Sequence, residues 1–439
     1  MKNTSRISIH WFRRDLRLED NHALFQALNS GESVIPLFIF DEDILQELPK
    51  NDARVSFIHD QLHAIQERLQ KLGSSLLVIH GHPVEVWKKL SAEYEISSVH
   101  CNADYEPYAM KRDEEIKALL AKKNIPFFAY KDQVIFEKND VLKADGTPYT
   151  VYTPYSKKWL AQCSPSDFKA FPSEEHLDKF HTFEKTPDFP SLKVLGFERS
   201  SIIVPDFRLE KSRIQRYAET RNLPAADGTS LLSTHLRFGT ISVRSAFRRS
   251  MEWNETFAKE LIWREFLMQI LFHFPQVVHQ SFRVKYDHII WRNNEKEFAL
   301  WCEGKTGFPM VDAGMRELNA TGLMHNRVRM VVASFLCKHL LIDWRWGEAY
   351  FANKLLDFEL SSNNGNWQWA AGSGCDAAPY FRVFNPSLQM ERFDKNLRYI
   401  KKWVPEYETS SYPEPIVEHA LARDRAIATY KKALDNFKG

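Results

Sequence analysis

Apolar residues in the first 130 positions alternate between two spacings, one typical of buried strands and one typical of helices. The clearest helical pattern runs along one face and is closed by Gly73, which is suited to a helix C-cap. Its apolar positions are Val55, Ile58, Leu62, Ile65, Leu69 and Leu72. Short β-rich runs predict strands at Ile7–Phe12, Val34–Phe40, Leu76–His80, Ser98–Asn102 and Phe127–Tyr130. Alternating strands and helices predict an α/β domain over residues 1–132, with a doubly wound parallel sheet.

The spacing changes twice further along the chain. Seven prolines punctuate residues 133–205 and no period persists, which predicts a long linker that wraps the surface of both domains. From residue 206 to residue 439 helical spacing dominates, and several of the helices are apolar on most sides. They are predicted at Tyr217–Arg221, Trp263–Phe272, Arg329–Leu341 and Trp346–Leu356. This half is therefore predicted to be a large all-α domain.

Composition narrows the class of protein without identifying it. The net charge is only +2, so a nucleic-acid partner would need a local basic face. Five scattered cysteines without metal-ligand spacing indicate reduced thiols and exclude a disulfide framework and a zinc site. The N-terminus has charged residues within its first apolar stretch, so it is not a signal peptide, and no apolar run reaches 18 residues. We therefore expect a cytoplasmic protein.

Two stretches of the helical half have residue types suited to binding. Gly228 precedes the run Thr229, Ser230, Leu231, Leu232 and Ser233, which offers backbone N–H groups and hydroxyls to a phosphate. On composition alone, a plain helix N-cap is the favoured explanation of this run. On a helix, Glu260, Trp263 and Arg264 share a face that suits a flat aromatic ligand, although a solvated amphipathic helix explains the pattern equally well.

Two further stretches combine charge with an apolar sequence. The polar cluster from His325 to Arg329 precedes the apolar run 331–336, so an arginine at that position needs a carboxylate or phosphate partner. Asp357-Phe358-Glu359 is followed by the polar run 363–366, which leads into Trp367 and Trp369. We predict that this run is a loop whose amides bind a planar, polar ligand. A buried turn is the alternative.

Together these stretches resemble the photolyase/cryptochrome superfamily over essentially the whole chain. Trp11–Arg17 matches the family's W-F-R-x-D-L-R motif, and Thr229–Ser233 is similar to its T-S-x-L-S flavin-phosphate loop. Asn326-Arg327, the Asp357–Trp369 segment and Asp376–Pro386 also match, in the family's order. The chain most resembles the class I cyclobutane pyrimidine dimer photolyases.

The resemblance implies FAD held in a U shape inside the helical domain. Asp357 would pair with Arg329 beside the flavin, and Asn363 would face flavin N5. Glu359 stands where many members have Asp, and Leu231 stands where Arg is common. The cofactor-binding residues implied are Tyr217, Thr229, Ser230, Leu231, Leu232, Ser233, Arg264, Arg329, Asp357, Phe358, Glu359 and Asn363.

The resemblance also implies light-driven repair of cyclobutane pyrimidine dimers in DNA, by electron transfer from photoexcited reduced FAD. Such a dimer must leave the duplex to be reached. The residues implied to contact DNA or the lesion are Arg221, Glu260, Trp263, Asn326, Arg327, Met330, Trp369, Arg382 and Gln389. Glu260 and Asn326 would hydrogen-bond the pyrimidine edges during catalysis. Trp367, Trp344 and Trp291 would form the electron relay that photoreduces the flavin.

Three alternatives share parts of this prediction. A cryptochrome-type blue-light photoreceptor would have the same fold, FAD and relay, but the pocket residues Glu260, Trp263, Met330, Trp369 and Asn363 are of the repair type, and no long polar tail follows the core. A (6-4) photolyase would usually have a histidine pair that is not found at matching positions. An electron-transfer flavoprotein without a DNA partner would not explain Arg221, Arg327 and Arg382 around one cavity.

A second, antenna chromophore of folate or deazaflavin type is left open by the sequence. Asn102, Asp104 and Glu106 match positions that contact such a group in relatives, whereas Val278 replaces a lysine that contacts folate in some of them. The protein is expected to act as a monomer.

Overall fold

The computed structural model describes residues 6–437 and contains two compact units that interleave along the chain. Within the described residues, one unit comprises residues 6–140, 161–207 and 231–252, and the other comprises residues 141–160, 208–230 and 253–437. Residues 231–252 fold with the first unit although they lie within the predicted helical domain, and residues 141–160 fold with the second unit although they lie within the predicted linker.

The first unit contains the predicted parallel sheet, so the doubly wound α/β prediction is confirmed. Its strands pair in parallel in the order β3-β2-β1-β4-β5. They are β1 Ile7–Phe12, β2 Ser33–Asp41, β3 Leu77–Gly81, β4 Ile96–Asn102 and β5 Phe127–Tyr130. The helices along this part of the chain are α1 His22–Leu28, α2 Glu42–Leu45, α3 Ala53–Gln70, α4 Pro83–Glu93 and α5 Pro107–Ala121.

Helices account for most of the remaining chain. In order they are α6 Tyr152–Gln162, α7 Lys211–Gln215, α8 Tyr217–Thr220, α9 Leu232–Phe238, α10 Val243–Trp253, α11 Glu255–His273, α12 Glu295–Glu303, α13 Pro309–Thr321, α14 Asn326–Ser334, α15 Trp344–Lys354, α16 Leu360–Ala371, α17 Pro386–Phe393, α18 Arg398–Trp403 and α19 His419–Asp435. Short 3-10 turns lie at Ser173–Lys179, Pro275–Val278 and Val284–His288, and a π-helical turn at Phe335–His339. Among residues 6–437, no helix has the length and apolar character needed to cross a membrane.

A buried ion network at the carboxyl end of the sheet explains why α10 belongs to the α/β unit. Arg17 Nη2 donates to the two carboxylate oxygens of Asp132 at 2.8 and 2.6 Å. Arg244 of α10 donates to Asp132 at 2.7 Å and to Asp20 at 2.9 Å. Burial alone would raise the pKa of Asp132, but the charges of Arg17 and Arg244 outweigh it and lower this pKa. Two buried cations therefore share one carboxylate, which ties α10 to the loop after β1.

Two predictions about local structure were wrong. The run 363–366 was predicted to be a loop but lies within α16. Its polar side chains are satisfied inside the helical unit, because Asn364 and Gln368 each donate to the Val277 carbonyl, at 3.1 and 3.0 Å.

The stretch 133–205, predicted to have no regular structure, contains α6, whose Tyr155 and Trp159 are buried. Trp159 donates to Glu265 of α11.

Asp132→Asn should lower the free energy of unfolding of the α/β unit by about 3–5 kcal/mol, because the neutral amide leaves the buried Arg17 guanidinium without its carboxylate and Arg244 with Asp20 alone. Chemical denaturation followed by circular dichroism measures this. Asp60→Asn is the control, since Asp60 pairs with Arg199 at 2.6 Å on the surface and such pairs contribute about 0–1 kcal/mol. Equal, small losses in the two variants would contradict a structural role for the network.

Candidate functional site

A cavity opens in the helical unit between α14, α16 and the segment that joins α15 to α16. The apolar lining consists of Met330, Ala333, Phe351, Leu355, Phe358, Trp367, Trp369 and Ala370. The polar lining consists of Asn326, Arg329, Asp357, Glu359, Ser362, Asn363 and Asn366. Broad apolar walls with a polar margin suit a planar aromatic ligand that has polar edges.

An ion pair forms one part of the polar lining. Arg329 of α14 donates through Nη2 to the two oxygens of Asp357, at 2.9 and 3.2 Å, and through Nε to the Met324 carbonyl at 2.8 Å. The Asp357 side chain is only 5% exposed, whereas that of Arg329 is 26% exposed. The arginine that the sequence predicted to need an anionic partner therefore has one. The pair offers a ligand both donors and acceptors at one wall.

A second ion pair brings α11 to the same cavity. Arg264 Nη2 donates to Glu359 Oε1 at 2.9 Å, and the other Glu359 oxygen accepts from the Ser362 hydroxyl at 3.0 Å. Glu359 immediately precedes α16. Glu359, which stands where many family members have the shorter Asp, is thus held at both of its carboxylate oxygens.

The orientation of the Asn363 amide is fixed by its neighbours. Its nitrogen donates to the main-chain carbonyl of Glu348 at 3.0 Å and to Glu348 Oε1 at 2.9 Å. Because only the nitrogen can face two acceptors, the amide oxygen is left as the atom available to a ligand. Burial raises the pKa of Glu348, and the hydrogen bond from Asn363 opposes this rise.

The predicted phosphate loop has one unusual backbone position. Leu231, directly before α9, has a φ of +52°, in the left-handed region that non-glycine residues seldom adopt. The carbonyl of Ser230 accepts from the Arg208 N–H at 2.6 Å. The chain passes from the helical unit to the α/β unit between Ser230 and Leu231.

Three of the residues predicted to contact the lesion or DNA lie in a second group in the helical unit, centred on the start of α11. Arg221 Nη1 lies 2.6 Å from Glu260 Oε1. Trp263 stacks on Tyr152 of α6, with ring centroids 3.6 Å apart and planes 9° apart. Tyr217 belongs to this group, because the Arg221 guanidinium lies 5.4 Å from its ring centroid. Tyr152 was missed in the sequence analysis because α6 was taken for a linker.

Arginines gather around Arg327 despite the small net charge of the chain. The pKa of Arg327 is lowered by burial and by the positive charges of Arg221, Arg392 and Arg382. Arg327 Nη2 donates to Asn222 Oδ1 at 2.8 Å, and its guanidinium lies 4.5 Å from the centroid of the Phe393 ring. We call Arg221, Arg327, Arg382 and Arg392 the arginine cluster. Arg392 lies three residues after Gln389, on the same helix, and was not predicted.

The three tryptophans predicted to form a relay pack into the same apolar cluster of the helical unit. Trp367 and Trp344 are buried, and Trp291 is partly buried against Tyr430, with ring centroids 5.9 Å apart. The Trp367 ring rests on Gly347, which lies one turn after Trp344 on α15. A Cβ at residue 347 would lie only 2.1 Å from Trp367 Cη2.

The residues predicted to contact an antenna chromophore are engaged within the α/β unit. Asn102 donates to Asp15 at 2.7 Å and to Asn21 at 2.8 Å. Asp104 and Glu106 pair with Arg14 at 3.2 and 3.1 Å. Their side chains thus have structural partners at the carboxyl end of the sheet.

Two protein-family models match the chain. The model of DNA photolyase matches residues 8–175, and that of the FAD binding domain of DNA photolyase matches residues 257–411. The chain is 37% identical to the deoxyribodipyrimidine photo-lyase of Synechococcus sp., over 97% of this chain and 96% of that protein.

Solved structures agree with these matches. A bacterial class III photolyase from Agrobacterium tumefaciens superposes with a TM-score of 0.87 at 34% identity, over 99% of each chain. An archaeal photolyase from Sulfolobus tokodaii with two FAD molecules, described as implying a novel light-harvesting cofactor, gives a TM-score of 0.81 at 35% identity. It covers 97% of this chain and 99% of its own.

Gly347→Ala should displace the Trp367 ring and lower the free energy of unfolding by about 1–3 kcal/mol, because the added methyl group overfills a packed contact. A glycine free of such contact in a helix would instead gain about 1 kcal/mol on replacement by alanine. Denaturation together with near-UV circular dichroism, which reports on tryptophan packing, measures both effects. A more stable variant with an unchanged tryptophan signal would contradict the contact.

Proposed function

This chain belongs to the DNA photolyase family, and on that basis we propose that it uses FAD and light to split cyclobutane pyrimidine dimers in DNA. The observation that carries the proposal is the cavity of the helical unit. In it, residues assigned to the flavin, such as Arg329, Asp357 and Asn363, line the same space as Met330 and Trp369, which are assigned to the dimer.

The residues of this cavity fit a flavin. The apolar walls suit the faces of a fused aromatic ring system, and the Arg329–Asp357 pair suits its polar edge. The Asn363 oxygen suits a ring N–H as an acceptor, because the amide nitrogen is held by Glu348. FAD supplies light-driven one-electron chemistry when bound. We assign the Arg264–Glu359 pair to the flavin site, and the family resemblance assigns Phe358 to it as well.

The remaining cofactor contacts are assigned by family resemblance. We propose that Tyr217 and the run from Thr229 to Ser233 hold the phosphate and ribitol parts. The left-handed backbone at Leu231 supports this assignment, because strained positions persist where a loop conformation is required.

The chain's own side chains then bind and orient the flipped dimer. Trp263 and Trp369 supply apolar surfaces for its rings, and Met330 lies beneath it. Asn326 is exposed at the start of α14, where its amide can reach a pyrimidine edge. Asn326 and Glu260 would stabilise the negative charge that the dimer gains, and the dimer itself would exclude water from the cavity.

DNA binding is assigned to the arginine cluster and to Gln389. Guanidinium groups contact phosphates without reading sequence, as a damage-specific enzyme requires. The mutual repulsion that lowers the pKa of Arg327 supports this assignment, because a phosphate would relieve it. A local basic patch also explains how a chain of net charge +2 binds DNA.

For the organisation of the chain we propose an antenna-type domain over residues 1–132, a linker over 133–205 and a catalytic domain over 206–439. We further propose that the protein acts as a cytoplasmic monomer. A second, antenna chromophore of folate or deazaflavin type would bind to the α/β domain, by analogy with relatives.

The direct test is repair of thymine-dimer oligonucleotides under blue light, followed by recovery of absorbance in the base band. Reduced, FAD-loaded protein should restore the absorbance in light and not in the dark. Light-dependent flavin reduction without any repair would instead indicate the cryptochrome-type photoreceptor, which shares the cofactor and the fold.

Asp357→Ala should release FAD, because it removes the acceptor at the flavin edge and leaves the Arg329 charge without its partner. The flavin-to-protein absorbance ratio after gel filtration measures retention, which should be stoichiometric in the wild type. Glu303→Ala, which breaks an exposed pair with Lys305, is the control and should keep its FAD. Full retention in Asp357→Ala would remove this pair from the cofactor site.

Trp367→Phe should block photoreduction of oxidised FAD by an external reductant, but should leave repair intact once the flavin is reduced chemically. The relay supplies electrons to the cofactor and takes no part in the repair cycle. Flash photolysis and the repair assay separate the two processes. The control is Trp403→Phe, on α18 and outside the relay, whose flavin should be photoreduced normally. If the flavin of Trp367→Phe were also photoreduced normally, Trp367 would be excluded from the relay.

Arg382→Ala should weaken binding to damaged and undamaged DNA alike, and should flatten the dependence of log affinity on log salt by about one unit. Fluorescence anisotropy over a salt series measures both quantities. Arg423→Ala on α19 removes an exposed charge outside the arginine cluster and should leave the slope unchanged. A loss confined to damaged DNA would show that Arg382 contacts the lesion.

A further inference from the structure

Arg221 and Glu260, to which family resemblance assigns separate tasks, form an ion pair with each other. We propose that Arg221 holds Glu260 as a carboxylate until a DNA phosphate replaces Glu260 as the partner of Arg221, and that Glu260 takes up one proton from solvent as the dimer binds. This inference rests on the proposed function. It makes Arg221 a positioning residue that couples damage recognition to the protonation state of Glu260.

The geometry allows Arg221 to change partners. Its Nη1 lies 2.6 Å from Glu260 Oε1, yet the two side chains remain 28% and 31% exposed. An ion pair with this much exposure contributes little net free energy, so another anion can compete for the guanidinium. The other arginines of the cluster lie within electrostatic reach and would attract a phosphate to the same place.

Among residues 6–437, the cation paired with Glu260 is Arg221. From α8 and the residue directly after it come Tyr217 and Arg221, and from α6 comes Tyr152, whose hydroxyl donates to the Lys259 carbonyl at 2.9 Å. The pKa values of Tyr217 and Tyr152 are raised, first by burial and then by the charge of Glu260, so both phenols stay neutral.

The cations on the helix of Glu260 itself have other partners. Lys259 lies 2.6 Å from Glu255, and Arg264 lies 2.9 Å from Glu359. Burial raises the pKa of Glu260, and the Arg221 charge and hydrogen bond oppose that rise. Loss of Arg221 to a phosphate removes this opposition, and coverage by the dimer increases burial. The two changes act in the same direction, towards the protonated acid.

The protonated acid suits the substrate better than the carboxylate does. A pyrimidine carbonyl accepts hydrogen bonds, and only the protonated form of Glu260 has an O–H to donate to it. A carboxylate could accept from the ring N3–H, but its second oxygen would face the carbonyl with no proton between the two acceptors. It would also repel the negative charge that the dimer gains when it receives an electron. The proton comes from solvent, and Arg221 stays protonated throughout.

The test is isothermal titration calorimetry in the dark, with FAD-loaded protein and a thymine-dimer oligonucleotide, in buffers of different ionisation enthalpy. Wild-type protein should take up close to one proton on binding. By linkage, its affinity should fall by up to about tenfold per pH unit over the range in which uptake is complete.

Two variants separate this coupling from ordinary phosphate binding. Glu260→Gln resembles the protonated acid and should bind the dimer with affinity that is independent of pH and without proton uptake. Arg392→Gln removes a charge of the same cluster that does not contact Glu260, so it should weaken binding and keep the uptake.

The possible results distinguish failure of this inference from failure of the proposed function. Wild-type protein that binds the dimer without proton uptake would overturn the coupling. Equal uptake by Glu260→Gln would do the same, because the proton would then go to another group. Absence of any preference for dimer-containing DNA would instead overturn the proposed function itself.

Discussion

The pairing of buried arginines with carboxylates is the constraint on which both units depend. A guanidinium cannot lose its charge at physiological pH, so wherever the fold buries one, an acceptor must be brought to it. In the α/β unit, Asp132 meets this need for Arg17 and Arg244 and thereby fixes a helix from much later in the chain. In the helical unit, the Arg329–Asp357 pair sets the distance between α14 and the segment before α16. The cavity lies between these two elements.

The same constraint orients the polar side chains of the cavity. They are held by each other and by the backbone, as Asn363 is held by Glu348. A ligand therefore meets donors and acceptors that are already oriented, and little ordering is needed when it binds. The group around Glu260 is different, because its ion pair is partly exposed and can change partners.

The sheet could be predicted from the sequence almost completely. The bounds of β1 and β5 agree with the predicted runs, because short apolar segments bounded by polar residues leave few alternatives. Helix α16 could not be predicted, since the acceptor for its Asn364 and Gln368 amides is Val277, far away in the sequence. The stack of Tyr152 on Trp263 was missed for the same reason. The charged cluster before an apolar run predicted that Arg329 needs an anionic partner. The family resemblance identified that partner as Asp357.

The central claim is that one flavin, held in the cavity of the helical unit, absorbs the light that drives repair. An action spectrum of dimer repair, recorded with reduced protein that contains FAD and no second chromophore, tests this most directly. Repair per incident photon should follow the absorption spectrum of the bound reduced flavin at every wavelength. Repair at wavelengths that this flavin does not absorb, or no repair at its absorption maximum, would contradict this claim.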